Sequence, residues 1–234
     1  MKKIGIMQPY FFPYIGYFQL INSVDEFIIY DNIQYTKKGW FNRNRILVDG
    51  KDYLITLPFK KDSDYLDISE RKISENWEKD RKKILNVIKH SYSKSPFFDQ
   101  IFPLIEKILN NKETNSFKFI YDSILEINKY LEIKTPIIIS SKIEIDHSKK
   151  SQDKVLELCK SRNGKNYINS IGGIDLYDKE VFLNEGIKLN FIKSNFICYK
   201  QFNHEFVPWL SIIDVMMFNS LDNIKEYINQ YTLI

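Results

Sequence analysis

Alanine is missing from all 234 residues, while isoleucine, lysine, asparagine, tyrosine and phenylalanine are plentiful. An AT-rich coding sequence produces this bias, and it makes lysine clusters poor evidence of function. Cysteine is scarce: Cys159 and Cys198 are isolated thiols with neither metal nor redox spacing. Three scattered histidines cannot complete a zinc site with them. No apolar run is long enough to span a bilayer. Met1-Lys-Lys leads straight into a strand-like run with no signal region, so a reduced, cytoplasmic protein is expected. The formal net charge of +4 is too small to argue for a nucleic-acid partner. There is no Walker sequence, nucleophile elbow or HExxH pattern, so covalent Ser or Cys catalysis has no local support.

What is present is a soluble globular composition, 44% hydrophobic and 27% charged, with enough chain for one full core. Its organising stretch runs from Ile4 to Arg45. Lys3-Ile-Gly-Ile-Met-Gln8 is a short apolar run stopped by Pro9. Pro9 and Pro13 bracket an aromatic segment that X-Pro sterics keep extended or turned. Pro13 can then open a helix over Tyr14 to Val24. Glu26-Phe-Ile-Ile-Tyr30 reads as a second buried strand. Two strands joined by a helix predict a right-handed βαβ unit in a parallel sheet, whose ligands bind beyond the carboxyl ends of the strands. Gln8 to Gly16 and Asp31 to Arg45 are then expected on one rim.

Downstream, Asp49-Gly50 between two apolar runs signals a hairpin ended by Pro58. Tyr65 to Ser69 reads as one more strand. Three amphipathic helices follow: Glu75 to Tyr92, one opened by Ser95-Pro96, and one starting at Asn115 or Ser116. Ile137 to Ile139 returns as a strand. Asp153 to Ser161 is expected to be helical, Asn166 to Ile168 a strand, Asp178 to Glu185 a helix and Ile187 to Phe191 a strand. A helix capped at Ser211 and another over Asn223 to Tyr231 close the chain. The expectation is a single α/β domain over residues 1–234. Its Rossmann-like, mostly parallel sheet would carry an antiparallel hairpin and a helical insertion over 75–133.

Gln8-Pro-Tyr-Phe-Phe-Pro-Tyr-Ile-Gly-Tyr-Phe18, Asp31-Asn-Ile-Gln-Tyr35 and Gly39-Trp-Phe-Asn-Arg-Asn-Arg45 resemble the WbqC-like family of bacterial proteins. Tyr167-Ile-Asn-Ser-Ile-Gly-Gly173, Tyr177-Asp178 and Pro208-Trp-Leu-Ser-Ile-Ile-Asp214 resemble its later motifs. The family occurs among genes for O-antigen and other surface polysaccharides. The resemblance implies a glycine transferase acting on an amino sugar. Amide formation needs an activated acyl donor, so ATP with Mg2+, a preformed thioester or an aminoacyl carrier is the candidate activator. The loop before the first helix is also similar to the opening of the nucleotidylyltransferase and pantothenate-synthetase superfamily. Those enzymes place histidines where this chain has aromatics.

The residues can be read for chemistry beside that resemblance. Gln8, Tyr10 and Gly16, as substrate contacts, and Tyr17, as a catalytic candidate, surround a helix N-terminus that favours an anion, although the aromatics there equally suit a core. Arg43 and Arg45 share one strand face, and Asn42 and Asn44 the other. The arginines can grip the diphosphate of a sugar nucleotide, with Trp40 stacking nearby, or one can pair with Asp31. Asp31 is expected at the site as a general base or metal ligand, or else as a turn cap, and Gln34 in the same segment as a substrate contact. Ser170, Gly172 and Gly173 form a turn whose N–H groups can cradle phosphate or carboxylate. His204 is the candidate base for an attacking sugar amine, and His90 and His147 look exposed. An enzyme acting on a nucleotide-linked amino sugar and a non-catalytic sugar-nucleotide binder both remain open. A nucleic-acid partner is not expected.

Overall fold

The computed structural model describes residues 1–36 and 39–234. Its centre is a six-stranded sheet of β1 (Lys3–Met7), β2 (Glu26–Ile29), β5 (Ile137–Ile139), β6 (Asn166–Ser170), β7 (Lys188–Ser194) and β8 (Tyr231–Leu233). The spatial order is β5-β2-β1-β6-β7-β8, with the first five parallel and β8 antiparallel to β7. Helix α1 (Ile15–Asn22) makes the crossover from β1 to β2. From β1 the chain builds outward to β2 and β5, then returns to the other side of β1 to lay down β6 and β7. The topological switch point therefore lies between β1 and β6, and this is the Rossmann-like arrangement the sequence predicts.

A hairpin, β3 (Arg43–Val48) with β4 (Lys51–Thr56), forms a separate two-stranded sheet. Asp49 and Gly50 both take positive φ, 49° and 74°, as the expected two-residue turn requires. Helices α2 (Trp77–Tyr92), α3 (Phe98–Leu109) and α4 (Ser116–Tyr130) follow it, so the expected helical run falls between β2 and β5. Helices α5 (Ser151–Ser161) and α6 (Lys179–Asn184) link β5, β6 and β7, and α7 (Ile212–Phe218) and α8 (Leu221–Ile228) precede β8.

Both faces of the sheet are covered. Ile4 and Ile6 of β1 pack with Val155, Leu158 and Phe182 of α5 and α6. Phe27, Ile29 and Ile168 point into the larger cluster with α1, the hairpin and the remaining helices. Two local expectations fail. Tyr65 to Ser69 is a turn followed by a single 3-10 turn, Ile68–Glu70, because Asp67 and Glu70 form a capping box. The last helix stops at Ile228, and Tyr231–Leu233 forms an edge strand instead, its register fixed by Ile192 opposite Leu233. Among the described residues, no helix is long and apolar enough to cross a membrane.

The hairpin is tied down by a buried carboxylate. Asp214, fully buried on α7, accepts from Tyr92 Oη (2.9 Å), Tyr199 Oη (2.6 Å) and Gln201 Nε2 (2.6 Å). Tyr92 Oη in turn accepts the Leu47 N–H at 2.7 Å. Burial outweighs these donors and lifts the Asp214 carboxyl from 3.8 to about 6. The folded chain therefore holds this proton more tightly than the unfolded one, so stability falls as pH rises between the two values and is flat above them. Urea denaturation is expected to show a loss on the order of 3 kcal/mol between roughly pH 4 and pH 6, relative to an Asp214→Asn reference. Parallel pH profiles for the two proteins would remove Asp214 as the cause.

Candidate functional site

A cleft of about 1080 Å³ opens at the carboxyl ends of the parallel strands. Its floor comes from Met7 and Gln8 after β1, Tyr30 after β2, and Asn169 and Ser170 at the end of β6. The cleft thus sits over the switch point, where the two strands diverge to opposite connections and leave a crevice. One wall is the start of α5 with the segment before it, including His147, Lys150, Gln152 and Lys154. The other carries Tyr10, Gln34, Tyr65 and Asp67.

Six of the expected substrate-binding residues meet here: Gln8, Tyr10, Gln34, Ser170, Gly172 and Gly173. Tyr17 lies one layer behind, 3% exposed, and donates from Oη to the Gln8 carbonyl at 3.0 Å. Burial, reinforced by Tyr10, pushes its hydroxyl pKa well above the usual value, so it acts as a fixed donor that positions Gln8. Gly16 admits a neighbouring side chain. A Cβ there would come within 2.3 Å of Tyr14 Cζ, so Tyr14 covers the α1 N-terminus.

The expected hairpin residues are divided as the alternation predicts. Asn42 donates to the Leu57 carbonyl (2.9 Å). Asn44 donates to the carbonyls of Phe11 (3.2 Å) and Phe12 (2.9 Å), bracing the loop where Phe12 holds φ at 43°. On the other face Arg43 and Arg45 lie over the exposed Trp40 ring, at 6.0 and 5.4 Å from its centroid. Arg45 also pairs with Asp52 at 3.3 Å, and Arg43 donates to the Gly39 carbonyl at 3.1 Å. Trp40, Arg43 and Arg45 are not among the residues that line the cleft. The hairpin side of the chain meets the Tyr10 loop through Phe11 N, which donates to Phe41 O at 2.9 Å. His204 sits against the hairpin turn, where a Cβ on Gly50 would be 2.8 Å from its Cγ.

Asp31 is buried just past β2, and donors surround it. Ser140 Oγ lies 2.8 Å from Oδ1, the Ser141 N–H 2.9 Å from Oδ1, and Ser141 Oγ 2.7 Å from Oδ2. It therefore clamps the carboxyl ends of β2 and β5 together and supports the neighbouring Asn32. Asn32 Nδ2 donates to His147 Nδ1 at 2.8 Å, while His147 Nε2 donates to the Ile143 carbonyl at 2.9 Å. Those partners fit an imidazole with its proton on Nε2.

Sequence reading passed over the cationic wall. Lys154 is 5% exposed, gives one hydrogen bond to the Asn32 carbonyl (3.2 Å) and lies over the Tyr30 ring at 5.1 Å. Burial lowers its pKa, with the charges of Asp67 and Asp31 opposing that shift. Helix α5 begins at Ser151 (φ 47°) with no side-chain cap, so the donors of its first turn open on the same cleft. Lys149 is already paired with Glu157 at 2.6 Å. A signal for Lys154 existed: four residues before Leu158 and next to Val155, it lies on the apolar stripe of α5.

Fold and cleft together define a Rossmann-like α/β protein with an open crevice over its switch point. The comparisons make the class specific. The model of the WbqC-like protein family matches residues 8–226, and the chain belongs to that family. An uncharacterized protein of Mycobacterium tuberculosis, Rv1507c, is 31% identical over 232 residues, covering 97% of this chain and 98% of its own. No solved structure matches.

Replacing Asp31 by Ala strands the Ser140–Ser141 donors. It is expected to lower unfolding free energy by about 2–4 kcal/mol in urea titration. Unchanged stability would show that the clamp is dispensable.

Proposed function

We propose that this protein transfers a glycyl or related aminoacyl group to the amine of a nucleotide-linked amino sugar in surface-polysaccharide (O-antigen) biosynthesis. The sugar nucleotide binds in the switch-point cleft. One observation carries the reading: the buried Lys154 ammonium stands at the uncapped start of α5, on a cleft that also presents tyrosine rings and side-chain amides. An ammonium has three protons, and Lys154 gives one to Asn32. The remaining donors and the first-turn N–H groups form an anion pole suited to a diphosphate. Gln8, Gln34, Asn169 and Ser170 supply hydrogen bonds for sugar hydroxyls, and Tyr10, Tyr30 and Tyr177 supply ring faces.

The family resemblance supports the acyl transfer. ATP with Mg2+ would supply activation of the glycyl carboxylate. With Lys154 and the α5 N-terminus assigned to the sugar nucleotide, Lys150 is the lining cation that would meet its phosphates. A preformed thioester or an aminoacyl carrier leaves the roles of these residues unchanged. The second reading, a non-catalytic sugar-nucleotide binder, is favoured by the saturation of Asp31 and the burial of Tyr17.

Mass spectrometry of the protein with uridine diphosphate-glucosamine, glycine and Mg-ATP separates the two. Transfer gives a sugar nucleotide heavier by one glycyl unit, whereas a binder returns it unmodified. Lys154→Met is expected to weaken binding of that sugar nucleotide at least about tenfold in calorimetry, with the double Arg43/Arg45→Gln variant losing less. Full affinity in Lys154→Met would move the anion pole elsewhere.

A further inference from the structure

The charges around the cleft are unevenly distributed. Among the described lining residues Asp67 is the one carboxylate, facing a wall with His147, Lys150 and Lys154. Asp67 follows the bend that carries Tyr65, and its backbone pairs with Gln34 across an isolated bridge. Its N–H donates to Glu70 Oε2 at 2.8 Å while its own carboxylate meets the Glu70 N–H, a capping box that holds the turn presenting it. A carboxylate has lone pairs to spare beyond that one bond. Lys154 gives its hydrogen bond to the Asn32 carbonyl rather than to Asp67, so the two charges act on one another without closing into an ion pair.

We infer that Asp67 receives the amine of the sugar substrate and is the base that removes its proton, an assignment that rests on the proposed function above. The cleft is then matched to a zwitterion, with phosphate at the α5 pole and ammonium at Asp67. Removal of water by burial, together with the nearby Glu70 charge, raises the Asp67 pKa, while Lys154 opposes the rise. A carboxylate in that state is a stronger base than one in water. The Lys154 charge in the same cleft disfavours a second cation, which assists proton loss from the sugar ammonium.

The step balances with a glycyl donor activated as an acyl phosphate or thioester. The sugar R–NH3+ gives one proton to the Asp67 carboxylate, and the freed lone pair attacks the glycyl carbonyl carbon. The C–N bond forms and the bond to the leaving group breaks. The leaving group departs with the bonding pair and takes the second nitrogen proton. Asp67 later returns its proton to water.

Asp67→Asn tests the assignment with little risk to the fold, since Asn caps a helical turn as well as Asp does. The probes are uridine diphosphate-glucosamine, with its free amine, and uridine diphosphate-glucose, with a hydroxyl in that position. Calorimetry on the wild type is expected to favour the amine by about tenfold, and Asp67→Asn to abolish that preference while keeping affinity for the hydroxyl analogue. In glycyl transfer followed by mass spectrometry, the variant should bind the amino sugar yet turn it over at least about a hundredfold more slowly. An amine preference or turnover that survives in Asp67→Asn overturns the assignment and leaves the binding reading intact. Wild-type protein that binds neither probe overturns both.

Discussion

A carboxylate taken out of water must be met by donors, and Asp31 is met by three from one short segment, Ser140–Ser141. That clamp holds the carboxyl ends of β2 and β5 at a common level. The rim above the parallel strands depends on it. Asn32 follows directly, reaches His147 with its amide and takes the Lys154 hydrogen bond on its carbonyl. One buried charge thus organises the side chains that face the cleft while taking no visible part in the cleft itself.

A second buried carboxylate, Asp214, does the same for the hairpin. Tyr92, Tyr199 and Gln201 converge on it, and Tyr92 takes the Leu47 N–H, which holds β3 and β4 against the helices instead of in the main sheet. Asn44 then reaches from the hairpin to the Phe11 and Phe12 carbonyls, and Ser211 Oγ also donates to Phe12 O at 2.7 Å. The loop between Pro9 and Pro13 is therefore braced from two sides, which explains how Phe12 keeps a left-handed φ. These contacts turn the Pro-rich opening of the chain into a rigid flank for Tyr10 and Gln8.

Much of this was legible locally. The run Ile4 to Met7, the Pro-bracketed loop, Asp49-Gly50 and the 3.6-residue periodicities of α2 to α4 state their structures through sterics and burial over a few residues. Chemistry was harder to read. Asp31 and Arg43 have the residue types of a site, but their surroundings are set by Ser140 and by Trp40, and the first of these is more than a hundred residues away. Lys154 was hidden by composition, since lysine is common throughout this chain and only burial separates one from another. The Asp67-x-x-Glu70 pattern did carry a capping signal for the turn that was read as a strand.

The sequence by itself determined the parallel βαβ opening, the hairpin turn, the helical run and membership of a family, because these depend on backbone preferences and on apolar spacing along the chain. Only the tertiary structure decided which polar residues face the cleft. The switch point between β1 and β6 joins strands more than 150 residues apart in sequence. Packing then spends Asp31, Tyr17, Asn42 and Asn44 on internal hydrogen bonds, while Lys154 and Asp67, each held by one local contact, also line the crevice. Whether a charge is satisfied or available is a property of its neighbours in space, and the fold assembles those neighbours from distant parts of the chain.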